Sequence, residues 1–132
     1  MTMAGSMTNF LELELLDHVF GKGAYSAPTP YLALFTAAPT DAGGGTEVSG
    51  GSYARVSISS AMGAAASGAI TNGSTITFPT ASASWGTVVA FGVMDASTAG
   101  NMLWWADLAA SKAVGNGDTL VFNAGDLDFT LD

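Results

Sequence analysis

The stretch that most constrains the fold runs from residue 85 to residue 108, with the sequence WGTVVAFGVMDASTAGNMLWWADL. Two short apolar runs, 88–94 and 102–105, flank a cluster of turn-forming residues at 95–101. Apolar runs this short, bounded by Gly, Asp and Asn, are typical of buried strands rather than helices. All three tryptophans of the chain lie in this stretch, and large aromatic side chains bury the most area. We therefore predict a long β-hairpin at the centre of the core.

The charge of the chain limits the partners that it can bind. Its 132 residues include 11 Asp or Glu against 3 Lys or Arg, a formal net charge of −8. This charge repels phosphate backbones and anionic lipid surfaces, so we expect neither nucleic acid nor a membrane as a partner. Charged residues make up only 11% of the chain, against about a quarter in an average domain. We expect small polar side chains or partner proteins to cover much of the surface.

One helix is predicted, over residues 9–20, with Asn9 as its N-cap and Gly21 at its end. Residues 1–8 are small or polar and are expected to form a flexible arm. Apolar side chains cover more than half of the helix circumference, which is too much for a single contact. This helix packs on the sheet of its own domain or, as an alternative, also docks on a neighbouring subunit. Its candidate interface residues are Phe10, Leu11, Leu15, Leu16, Val19 and Phe20.

Short alternating strands dominate the rest of the chain. They are separated by turn signals about every ten residues, which is typical of a sandwich or barrel. We predict a mainly β, antiparallel β-sandwich or jelly-roll-like domain over residues 9–132, with one N-terminal helix. The predicted strands outside the hairpin are 31–36, 53–59, 69–78, 119–123 and 126–131, and the predicted long loops are 38–52, which is glycine-rich and expected to be mobile, and 109–118.

Two further interface candidates lie in the predicted strand 53–59. Tyr53 and Arg55 alternate with apolar residues there and therefore share one face. Arg55 is the single arginine of an acidic chain. We expect it to pair with a carboxylate, either Glu47 or one across an interface.

Residues that carry chemistry are few. His18 is the only histidine, and a solvated helix face explains it better than a metal or acid–base site does. No serine lies in a G-x-S-x-G turn. Asp126 and Asp128, with Asp118 on a nearby loop, supply oxygens of the kind that bind calcium, but carboxylates that keep a sheet edge soluble explain them more simply. We predict no catalytic, metal or cofactor site and no enzyme activity.

Several stretches together resemble a widespread family of small tailed-bacteriophage virion proteins that are usually labelled tail-fibre-like. The most specific one is PYLALFTAAPTDAGGGTEVSGGSYAR at 30–55. The others are FLE at 10–12, LLDHVFG at 15–21, TFP at 77–79, WG at 85–86, GDTL at 117–120 and AGDLD at 124–128. The resemblance implies a structural role in the virion, assembly in the bacterial cytoplasm and no catalytic residues.

Two virion roles follow from this resemblance. The first expectation is a capsid decoration or cement protein, a homotrimer that binds the major capsid protein on the outer head surface. The alternative is a module associated with the tail fibre or tail tip, which contacts tail proteins and binds a host receptor. Tyr25, Tyr31 and Tyr53 would then stack on that receptor. A carbohydrate-cleaving enzyme is a third and more distant class.

Overall fold

A computed structural model of the protein describes residues 3–4 and 6–131. Its single α-helix, α1, spans Asn9–Val19. The strands are β1 (Met3–Ala4), β2 (Ser6–Met7), β3 (Tyr31–Ala37), β4 (Thr46–Glu47), β5 (Val56–Ser57), β6 (Ala69–Thr71), β7 (Ile76–Thr77), β8 (Gly86–Met94), β9 (Met102–Val114), β10 (Val121–Phe122) and β11 (Leu127–Thr130).

The predicted hairpin forms the middle of the largest sheet. Strands β8 and β9 pair antiparallel, and the sheet continues on both sides in the order β2-β9-β8-β3-β4, with β5 also paired to β3. The turn between β8 and β9 is closed by Asp95, whose carboxylate accepts hydrogen bonds from the backbone and side-chain amides of Asn101. The prediction of a central hairpin is therefore confirmed.

Strand β9 is longer than the sequence suggested. Residues 109–118 were predicted to be a loop, but the strand continues to Val114, which pairs with Gly86 at the start of β8. The register shifts between Val88 and Ala90, whose partners are Lys112 and Asp107, so several residues of β9 bulge out of the ladder. Small residues such as Ala and Ser carry no clear strand signal, and only the pairing with β8 makes this segment a strand.

A second layer covers one face of the large sheet and makes the domain a β-sandwich, as predicted. It consists of the sheet β1-β11-β6 and the pair β10-β7. The core between the layers is aromatic. Phe91 of β8 meets Phe122 and Phe129 of the second layer edge to face, with ring centroids 6.1 and 6.0 Å apart. Trp104 of β9 meets Phe129 in the same way.

The two ends of the chain depart from the prediction. The arm 1–8 is held over its described part, because β2 pairs with β9 and β1 pairs with β11. The β1–β11 pair is parallel, unlike the otherwise antiparallel sheets. In β11, Leu127 and Phe129 are buried, whereas Leu131 is exposed because the strand ends at Thr130. Asp132 lies outside the described residues.

Two predicted strands and one predicted loop also differ in extent. The strand at 53–59 shrinks to β5, and the segment 69–78 divides into β6 and β7, on either side of the turn at the buried Asn72. The loop 38–52 was expected to be mobile. Instead it contains β4, which pairs with β3, and Val48, which is buried in the core.

The N-cap of α1 is Thr8 rather than the predicted Asn9. The Thr8 hydroxyl accepts a hydrogen bond from the backbone N–H of Leu11 at 3.4 Å. It also lies 2.6 Å from the carbonyl oxygen of Met102 and 3.1 Å from that of Leu103. One buried side chain therefore caps the helix and joins it to β9.

Replacing Thr8 by valine is expected to lower the free energy of unfolding by about 1–2 kcal/mol. Valine keeps the shape of the side chain but leaves the Leu11 N–H and the Met102 carbonyl without this partner. Urea unfolding at neutral pH measures the loss. The matched control is Thr8→Ser, which retains the hydroxyl. An equal loss in both variants would show that the methyl group, and not the hydrogen bonds, holds the helix.

Candidate interaction surface

Helix α1 lies against one edge of the domain with a single narrow face. Phe10 and Leu11 are partly buried and pack on the aromatic core. Leu15 is also half-buried, but no residue of α1 is fully buried. The sheet therefore covers only a small part of the wide apolar arc that the sequence predicted.

Four large apolar side chains stand on the outer side of the helix. Leu13, Leu16, Val19 and Phe20 are 64%, 56%, 71% and 70% exposed. At 100° per residue they fall within an arc of about 120°, facing away from Leu11. We call these four residues the outer helix face. Contiguous apolar patches of this kind mark contact sites with other molecules more often than they mark bare surface.

Three of the four residues were candidates on sequence grounds, and Leu13 was not. Leu13 was part of the apolar arc, but the sequence could not show which side of the arc the sheet would cover. The structure separates the six candidates. Phe10 and Leu11 pack on the core and Leu15 is half-buried, whereas Leu16, Val19 and Phe20 are exposed.

The chain folds back immediately after the outer helix face. The carbonyl oxygen of Asp17 accepts hydrogen bonds from the backbone N–H groups of Lys22 and Gly23. His18 then accepts a hydrogen bond at its Nδ1 from the backbone N–H of Tyr25, at 3.1 Å. The single histidine thus fixes the exit from the helix.

The side chains of Tyr53 and Arg55 make hydrogen bonds within the domain. The Arg55 guanidinium donates from Nε and Nη2 to the two oxygens of Glu47, at 2.8 and 2.7 Å. The Tyr53 hydroxyl donates to the same carboxylate at 2.8 Å and accepts a hydrogen bond from the backbone N–H of Leu34. The predicted pairing of Arg55 with a carboxylate is confirmed for Glu47. Both candidate interface side chains therefore have hydrogen-bond partners within their own domain.

Arg55 also joins two loops. Its Nη1 donates to the carbonyl oxygens of Ala96 and Ala99, at 2.7 and 2.8 Å, in the turn of the central hairpin. The Arg55 side chain is only 7% exposed and that of Glu47 is 26% exposed. Burial raises the pKa of Glu47, but the hydrogen bonds from Arg55 and Tyr53 outweigh it and hold this pKa below its ordinary value of 4.5.

The lowered pKa of Glu47 predicts how stability depends on pH. A carboxyl group whose pKa is lower in the folded state stabilises the protein fully above its unfolded pKa, and this contribution is lost as the pH falls through the folded value. We expect wild type to be more stable than Glu47→Gln at pH 7, and the difference to shrink below about pH 4.5. Urea unfolding at pH 7, 5, 4 and 3 measures it. A difference that stays constant or grows toward acid would contradict this assignment.

The three tyrosines are poorly placed to stack on a receptor. Tyr25, Tyr31 and Tyr53 are all half-buried. The Tyr25 hydroxyl is buried and makes no hydrogen bond, and its pKa is raised by burial and by the nearby carboxylates of Asp95 and Glu14.

The aspartates considered for calcium do not converge. Asp126 is buried and accepts a hydrogen bond from the backbone N–H of Asn123, so it does not share an outward face with Asp128. Asp118 accepts one from the N–H of Gly115 at 2.8 Å. Within residues 3–4 and 6–131, no three His, Cys, Asp or Glu side chains are grouped to hold a metal ion.

Asp41 is a structural residue that sequence reasoning missed. Its Oδ1 accepts hydrogen bonds from Trp105 Nε1 at 2.9 Å and from the Ser6 hydroxyl at 3.2 Å. Its carbonyl oxygen accepts one from the backbone N–H of Asn9 at 2.9 Å. Asp41 therefore holds the glycine-rich loop against the start of α1. The nearest signal in the sequence is the Thr-Asp pair before the glycine run, which is typical of a turn.

The chain was compared with protein families and with curated proteins. The search of curated proteins found no similar sequence. Separately, the described residues contain no helix with the length and apolar character of a membrane span. The family model described as podophage GP4 fiber I protein gp80 matches residues 6–130, nearly the whole chain. The resemblance to tail-fibre-like virion proteins is thereby confirmed, and the chain belongs to the podophage GP4 fiber I protein gp80 family.

Proposed function

We propose that this protein is a non-enzymatic subunit of a tail fibre, assembled through the outer helix face and placed where the virion meets its host. The family match supports a virion component of the fibre kind. It favours the tail alternative over the capsid decoration protein that we first expected. The observation that carries the assembly step is the exposure of Leu13, Leu16, Val19 and Phe20 on one side of α1.

The physical case for assembly rests on the free energy of exposed apolar surface. Each Leu, Val or Phe side chain that moves from water into an interface contributes about 1.5–3 kcal/mol. Four such side chains on one helix are sufficient for the central anchor of a subunit contact. Leu11 packs on the core and faces away from these four side chains, and Thr8 is buried at the start of the helix. Docking on the outer helix face therefore leaves both contacts in place.

We propose a homotrimer as the assembled form. Copies of one chain form a closed ring when each copy makes the same head-to-tail contact with the next and the rotation closes. In a trimer the three outer helix faces would meet around that axis. Other tail proteins would then contact the remaining surface.

The role of the acidic side chains supports the absence of catalysis. The carboxylates of Asp41, Glu47, Asp95 and Asp118 each accept hydrogen bonds from their own chain. These bonds close turns and hold loops. These four carboxylates therefore contribute to maintaining the fold.

Immunogold microscopy of intact virions tests the proposed location. An antibody raised against the whole chain is applied to purified particles, with antibody pre-absorbed on the protein as the control. We expect gold at the tail. Uniform gold over the heads would overturn the fibre proposal in favour of capsid decoration, and unlabelled particles would overturn the virion assignment itself.

A further inference from the structure

A cleft of about 460 Å³ opens on the face of the large sheet opposite the aromatic core. Three separate segments form its walls. These are the start of α1 at residues 8–10, the glycine-rich loop at 41–45 and the hairpin turn at 100–102. Its volume lies within the range of sites that bind small molecules. Asp41 holds two of the walls together through its hydrogen bond to the Asn9 backbone.

The floor of the cleft is apolar. It consists of Phe35 from β3, Met94 from β8 and Met102 from β9. Gly92 lies beside them, and a side chain at this position would come within 3.0 Å of the Phe35 ring and 3.4 Å of Met102. The missing side chain lets the Phe35 ring lie close to the sheet. Only a small part of this apolar floor is open to solvent, because Phe35, Met94 and Met102 are 3%, 7% and 9% exposed.

The rim of the cleft is polar, and the described residues that line it include no Lys or Arg. Asn9, Asp41, Glu47 and Asn101 line it together with the backbone of the glycine loop. The Glu47 charge is balanced by Arg55, whereas the donors to the Asp41 carboxylate among the described residues are the neutral Trp105 and Ser6. The cleft therefore offers amide and carboxylate groups to a ligand and repels anions.

We propose that this cleft binds an uncharged saccharide unit. A pyranose ring has an apolar C–H face, one edge of which can contact the small open part of the floor at Phe35 and the two methionines. Its hydroxyl groups both donate and accept hydrogen bonds, which suits the carboxylate of Asp41 and the amides of Asn9 and Asn101. Acidic sugars are disfavoured because Asp41 is negative and the cleft holds no free cation among its described lining residues.

This inference rests on the proposed function in one respect, because a fibre subunit is positioned to meet saccharides at a cell surface. The two claims are nevertheless tested separately. Gold labelling reports where the protein is, whereas sugar binding is measured on the purified chain. Failure of one does not imply failure of the other.

Amide NMR of the full-length chain tests the cleft directly. Glucose, galactose, mannose, N-acetylglucosamine and rhamnose are titrated singly into the labelled protein, with glucuronic acid and N-acetylneuraminic acid as anionic comparators. We expect at least one neutral sugar to bind in the millimolar range. The shifted signals should be those of Asn9, Ala42, Gly44 and Asn101. The anionic sugars should bind at least about tenfold more weakly.

Two variants connect the binding to this cleft. Ala42→Trp fills the opening of the cleft. Asn9→Ala removes a side-chain amide from the rim but keeps the backbone N–H that donates to Asp41. Each variant should weaken sugar binding by about tenfold. Ala110→Trp, on an exposed part of β9 away from the cleft, is the matched control and should bind as wild type does. The proposal is overturned if no sugar in the panel shifts any signal, if the shifts lie elsewhere, or if the acidic sugars bind equally well.

Discussion

Replacing Leu16 and Phe20 together by glutamate is expected to leave the domain folded and to abolish its self-association. Both side chains are more than half exposed in the isolated chain, and surface substitutions of this kind change stability by about 0.5 kcal/mol or less. In the assembled form the same substitutions would remove two apolar anchors and bury two charges. Losing at least about 3 kcal/mol of binding free energy per contact weakens association by more than about a hundredfold.

Sedimentation velocity over a range of protein concentrations measures this effect. Wild type should sediment as a trimer and the double variant as a folded monomer. The matched control, Ser97→Glu with Ala110→Glu, adds the same charge at exposed positions off the helix and should remain trimeric. Leu11→Glu faces the core instead and should destabilise the domain itself. A wild-type chain that is monomeric at every concentration would contradict homotypic assembly.

The second large effect is expected at Arg55. Arg55 lies just before β5, and Arg55→Ala removes four hydrogen bonds. Two of them join this segment to Glu47 of β4, and two join it to the hairpin turn. The substitution also leaves the Glu47 carboxylate without its cation. Breaking a fully buried pair costs about 3–5 kcal/mol. Because Glu47 is partly exposed, we expect the lower end of that range, a loss of about 3 kcal/mol in the free energy of unfolding.

A double-mutant cycle separates the ion pair from the other contacts of Arg55. Arg55→Ala, Glu47→Gln and the double variant are compared by urea unfolding at pH 7. We expect a favourable coupling energy between the two residues of about 1–2 kcal/mol. Arg55→Lys keeps the charge but loses the planar fork, so its cost should be intermediate. A loss below about 1 kcal/mol for Arg55→Ala would mean that this network does not hold the loops.

Local patterns in the sequence were sufficient to predict the main elements. The apolar runs around residues 95–101 predicted the hairpin, and the helical apolar arc predicted α1 almost to its ends. Arg55 was expected to pair with a carboxylate because an acidic chain offers its single arginine many partners. These features depend on residues close in sequence or on charge, both of which can be assessed without the fold.

Features that depend on distant strands could not be predicted. Residues 109–114 become a strand only because β8 lies beside them. Thr8 rather than Asn9 caps the helix because the carbonyl groups of β9 are next to it. Tyr53 and Arg55 are half-buried because both donate hydrogen bonds to Glu47, which pairing with β3 holds in β4. In each case the deciding partner is far away in the chain or in a strand too short to recognise.

The candidate sites also combine features that the sequence could predict with features that only the fold determines. The sequence showed that the helix was apolar on too many sides, but only the position of the sheet revealed that Leu13 and Phe20 face outward. The cleft is built from residues as far apart as Thr8 and Met102. No single stretch contains enough of it to form a motif.

A cryo-electron microscopy reconstruction of the parent virion tests the central claim most directly. We predict that the domain fits density in a tail fibre, with Leu13, Leu16, Val19 and Phe20 of each copy buried against neighbouring copies around a threefold axis. Density for the domain on the head lattice would contradict the fibre assignment. A tail location in which the outer helix face points into solvent would contradict the proposed mode of assembly.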